Sequence, residues 1–86
     1  MLFANGGKTM DEEKFLNWLQ IDKGISLRSA RDVLSRCRRI TFITKVKEID
    51  VTTMDKLLKS KEFNGFTTTV KSQLKRAITL YLEYKN

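Results

Sequence analysis

Apolar residues return at the helical period through most of this chain, and no proline interrupts them. The pattern is plainest near the end. Val70, Leu74, Ala77, Ile78, Tyr81 and Leu82 share one face of a helix that starts among Thr67, Thr68 and Thr69. Ser26 is a good N-cap for another helix, with Leu27, Ala30, Val33, Leu34, Cys37 and Ile40 following at helical spacing. A helix is also predicted over about 11–22. There Thr9 and Glu12 stand at capping-box spacing, Phe15, Leu16, Trp18 and Leu19 face inward, and Gly24 stops the run. Asp11, Glu12 and Glu13 suit the positive end of that helix. A shorter helix is predicted over about 53–61, capped by Thr52 or Thr53, with Met54, Leu57 and Leu58 inward and Asn64-Gly65 beyond it.

The expected architecture is all-α: a single four-helix bundle over residues 11–86, after a flexible lead-in of residues 1–10. A chain of 86 residues buries about 60% of its unfolded surface, enough for one modest core. The expected core is Phe15, Leu19, Leu34, Cys37, Leu57, Leu74, Ile78 and Tyr81. One segment competes with this reading. Ile40-Thr41-Phe42-Ile43-Thr44-Lys45-Val46 is rich enough in β-branched and aromatic residues to pass as a strand. No second alternating run offers it a partner. It is therefore read as the end of the second helix, followed by a turn in which Ile49 and Val51 plug the core.

Composition removes most chemistry. Histidine is absent, which takes away the usual general base and the commonest metal ligand. The single cysteine, Cys37, falls on an apolar face and reads as a small buried hydrophobe. Gly7-Lys8-Thr9 ends like a phosphate-binding loop, but that motif needs glycine where this chain has Leu2. No enzyme activity, cofactor or metal is expected. No apolar run approaches the roughly 20 residues of a membrane span, and Met1-Leu2-Phe3 is too short for a signal peptide's apolar region. The expected location is the cytoplasm.

The positive signal is charge. Lys+Arg number 17 against 10 Asp+Glu, a net +7. Residues 26–47 hold a net +6 and residues 67–86 a net +3, while residues 11–23 and 48–66 are mildly acidic. Five arginines fall within residues 28–39. At about 100° per residue, Arg28, Arg31, Ser35, Arg38 and Arg39 lie opposite Val33, Cys37 and Ile40. On the last helix Thr68, Ser72, Lys75, Arg76 and Thr79 form a similar stripe opposite Leu74 and Tyr81. Arginine forks interleaved with hydroxyls suit phosphate oxygens. Arg31 and Arg38 are expected to act as an exposed pair that alanine replaces without harm to the fold, and Arg36 to matter less. Duplex DNA is the expected partner. The alternative is a protein-interaction module for an acidic partner, which would expose an apolar patch including Phe42 or Trp18. Trp18 otherwise reads as helix–helix packing rather than base stacking.

The order Phe15-Leu16-x-Trp18-Leu19, then Gly24-Ile25-Ser26 opening an arginine-bearing helix, resembles the start of the SAM-like N-terminal (core-binding) domain of phage integrases and other tyrosine recombinases. The closing run, Thr68-Thr69-Val70-Lys71-Ser72-Gln73-Leu74-Lys75-Arg76-Ala77-Ile78-x-Leu80-Tyr81-x-x-Tyr84, is similar to that family's last helix. The resemblance covers about residues 11–85. It implies a four-helix SAM-like bundle that grips duplex DNA with its second and fourth helices. Arg28, Arg31, Arg38 and Arg39 would then match the family's second-helix contacts, and Ser72, Lys75, Arg76 and Thr79 its fourth-helix contacts; Ser35 and Lys45 join the expected DNA-binding residues on their own chemistry. It also implies DNA recombination and integration as the setting, with a recombinase catalytic domain or another protein as a second partner. Two departures stand out: Ala30 adjoins a position where the family often has threonine, and residues 40–46 are more β-branched than usual.

Overall fold

The computed structural model describes the backbone of residues 10–86 and the side chains of residues 12–86. Among the described residues five helices follow one another: α1 (Met10–Ile21), α2 (Leu27–Thr44), α3 (Thr53–Leu58), α4 (Lys61–Asn64) and α5 (Thr68–Lys85). Among the described residues there is no strand. The third helix, predicted over about 53–61, ends at Leu58, and a further short helix not predicted follows at Lys61–Asn64. Residues 1–9 of the lead-in, with Gly7-Lys8-Thr9 and the Thr9 cap, fall outside the described residues, and Met10 opens α1.

Gly24 turns the chain out of α1 at φ 65, a left-handed conformation that suits a residue without Cβ. The Lys23 and Ile25 amides donate back to the carbonyls of Trp18 and Leu19, at 3.3 and 3.0 Å. Ser26 then caps α2 by accepting from the Ser29 amide at 3.3 Å. Despite its β-branched residues, α2 continues unbroken to Thr44. Thr41 and Thr44 donate their hydroxyls to the carbonyls of Arg38 and Ile40, each at 2.8 Å, so their polar atoms are satisfied within the helix. Ile40 and Ile43 are buried, and that packing outweighs their modest cost in helix propensity. Lys45 ends the helix in the left-handed region at φ 59.

The next turn divides the two expected core plugs. Ile49 is buried, but Val51 is 82% exposed. Asp50 organises the turn. Its carboxylate accepts the Thr52 amide and hydroxyl, at 2.9 and 2.6 Å, and the Thr53 hydroxyl at 3.3 Å. The Thr52 side chain and amide hold the Asp50 carboxyl below its usual range. This arrangement aims Val51 at solvent while Thr53 is buried. Leu58 also departs from expectation: it is 43% exposed, and Phe63 of α4 is buried in the core. Ser60 starts α4 by accepting from the Phe63 amide at 3.3 Å.

The α2 helix sits against α1, α3 and α5, with its most extensive contact on α5. All eight expected core residues are buried. Phe15 of α1 meets Tyr81 of α5 edge-on at 5.1 Å, and Trp18 meets Tyr84 at 5.5 Å. Trp18 thus joins α1 to α5, as its helix–helix reading requires. Tyr81 donates its hydroxyl to Glu48 at 2.8 Å. Among the described residues no helix is long and apolar enough to cross a membrane.

Candidate nucleic-acid interface

The outer face of α2 is set by its inner one. Ala30, Val33, Leu34, Cys37, Ile40 and Thr41 are buried, so residues about half a turn away must face solvent. Arg28, Arg31, Ser35 and Arg39 are exposed, as is Phe42. Those five positions fall within about 80° of arc along roughly 21 Å of helix. Lys45 is exposed just past the last turn. Asp32 is the one carboxylate of α2, and it too is exposed. The described ion pairs are Lys23–Glu83, Arg38–Glu12, Lys59–Asp55 and Lys85–Glu48. None of them takes up Arg28, Arg31, Arg39 or Lys45.

Arg38 is different. Its Nη2 donates to Glu12 Oε1 at 2.7 Å, and the Glu12 side chain is only 1% exposed. The Arg38 Nε is buried and has no hydrogen-bond partner. Helical spacing places Arg38 beside Arg31, but the long side chain reaches back to α1 and neutralises a carboxylate that the packing buries. The expected free pair of Arg31 and Arg38 is therefore one free arginine and one structural arginine. Arg36 is partly buried.

Arg39 is held as well as exposed. Its guanidinium carbon lies 4.6 Å from the centroid of the Phe66 ring, just ahead of α5. Phe66 was not legible as part of this surface, because the sequence shows it only as the residue before a threonine run. Lys71 lies 5.8 Å from the Phe63 ring. The exposed face of α5 carries Thr68, Ser72, Lys75, Arg76 and Thr79 as expected. Thr79 donates its hydroxyl to the Lys75 carbonyl at 3.1 Å, which leaves its lone pairs outward. Thr67 caps α5 by accepting from the Val70 amide at 3.3 Å, and no acidic residue occupies the first turn.

Burial first, and the Glu12 carboxylate second, push the Cys37 thiol well up, so it stays protonated and unreactive at neutral pH. The exposed cations of α2 and α5 can attract and orient an anion. Comparisons with family models, with curated proteins and with solved structures find no match.

Proposed function

We propose that this chain is a non-catalytic DNA-binding domain that holds duplex DNA by its phosphates. The observation that carries the reading is the outer face of α2, where Arg28, Arg31 and Arg39 stand exposed and outside every described ion pair. Ser35 adds a short neutral donor and Lys45 a further cation. Ser72, Lys75, Arg76 and Thr79 of α5 extend the contact. Arginine forks and hydroxyls of this kind position a protein on the backbone without reading sequence. The resemblance to the core-binding domain of tyrosine recombinases supports the same assignment. In that reading α1, α2, the α3–α4 pair and α5 play the parts of a four-helix SAM-like bundle. A recombinase catalytic domain, or another protein bound beside it, would supply chemistry that this chain does not.

The exposure of Phe42 favours a second reading, a module for an acidic protein partner. Arg39 and Lys45 stand three residues before and after it, both exposed, which gives the ring cationic neighbours that an acidic partner and a phosphate backbone would both meet.

The test is binding to two duplexes of unrelated sequence by the natural chain and by the Arg28→Ala/Arg31→Ala variant. Affinity is expected to fall about tenfold on both duplexes alike. Unchanged affinity on both would remove the interface from α2, and tighter binding to an acidic polypeptide than to either duplex would favour the second reading.

A further inference from the structure

Phe42 stands out on α2 by its exposure. It is 79% exposed in the last turns of a helix whose other large apolar residues beyond the N-terminal turn are buried. It stands on the same arc of α2 as Arg28, Arg31, Ser35 and Arg39. Lys45 follows it by three residues, just past the helix end, and Arg39 precedes it by one turn, braced on the Phe66 ring at 4.6 Å. Along the chain the ring thus stands between two exposed cations.

A phenyl ring there offers a π-face. In a fully paired duplex the faces of the bases are occupied by their neighbours, and only edges are open to the grooves. Arginine and serine on the arc can reach those edges, but the phenyl ring of Phe42 has no polar group with which to meet them. An unpaired base has an open face, and stacking on an aromatic ring needs no particular base identity. Cations on either side of the ring would hold the adjoining phosphates while the base meets it.

We infer that Phe42 is a stacking platform for an unpaired base, so that this surface prefers DNA carrying a short unpaired segment over the same DNA fully paired. The inference rests on the DNA-binding reading of α2 and names the form of DNA that the face selects.

The experiment uses the full chain and two 20-base-pair DNAs that differ only in a central three-nucleotide gap. The gapped DNA should bind about tenfold more tightly than the paired one. Phe42→Ala should bind both equally, with its circular dichroism unchanged, because the position is an exposed helical one that alanine suits. Phe42→Trp should keep the preference, and its emission should be quenched by gapped DNA beyond the quenching that Trp18 alone shows in the natural chain. Equal affinity of the natural chain for the two DNAs, or a preference that survives in Phe42→Ala, would overturn the inference while leaving duplex binding intact. Failure of both DNAs to bind at low salt would overturn the DNA-binding reading itself.

Discussion

Arg38 of α2 donates a 2.7 Å hydrogen bond to Glu12 of α1, whose carboxylate side chain is only 1% exposed. A charge taken out of water is costly unless another charge meets it, and this pair meets across the contact between the two helices. Arg38→Ala should therefore destabilise the fold by about 3 kcal/mol. That is the low end for breaking a buried pair, because the arginine itself stays partly open to water. Glu12→Gln in the same chain should restore part of the loss, since a neutral amide tolerates burial better. Urea unfolding of the three proteins checks this, and equal midpoints for Arg38→Ala and the natural chain would contradict it.

Leu74 fills the core from the centre of α5 and is almost fully buried. Leu74→Ala should cost roughly 2–5 kcal/mol, from lost burial and the cavity left behind. For a domain of this size that is a large share of the total stability. A denaturation midpoint shifted by less than the equivalent of about 1 kcal/mol would contradict the packing described for α5.

Alkaline pH should weaken the fold. Burial holds the Cys37 thiol above its ordinary 9.0, and burial with the bond to Glu48 holds the Tyr81 phenol above its ordinary 10.0. Below those ordinary values both groups are neutral whether the chain is folded or not. Above them the unfolded chain loses protons that the folded chain keeps, so stability falls as pH rises. Unfolding midpoints should decline from about pH 9 upward, and Cys37→Ala should delay the onset toward pH 10. A flat profile to pH 11 in the natural chain would contradict this.

Lys45 leaves α2 at φ 59, where a side chain is strained and glycine is not. Lys45→Gly should raise stability by up to about 1 kcal/mol, the relief of strain being partly offset by the freer unfolded chain. Thermal unfolding measures it, and a lowered midpoint would show that Lys45 makes a compensating contact.

The helical period was enough to find the core, because Leu34, Cys37, Leu74, Ile78 and Tyr81 repeat at a spacing that only a helix puts on one side. It was also enough to place Arg28, Arg31, Ser35 and Arg39 outward. It failed where a long-range partner or a turn decided the outcome. Arg38 occupies an outward position, but Glu12 lies 26 residues earlier in the chain and draws the side chain back. Val51 is apolar and follows Ile49 by two, yet the Asp50 turn points it at water. The 40–46 segment looked like a strand because β-branched residues suit one. The threonine hydroxyls bonded within α2 and the buried isoleucines show why residues 40–44 are helical, and the chain leaves the helix at Lys45.

The central claim is that exposed cations of α2 and α5 hold DNA phosphates, and salt dependence tests it most directly. If about five phosphates are neutralised, the logarithm of the binding constant for duplex DNA should fall against the logarithm of salt with a slope of roughly −4 to −5. Replacing Arg28, Arg31 and Arg39 together by alanine should reduce that slope by about 3. A binding constant that does not change with salt, or a slope left unchanged by the triple replacement, would contradict the claim.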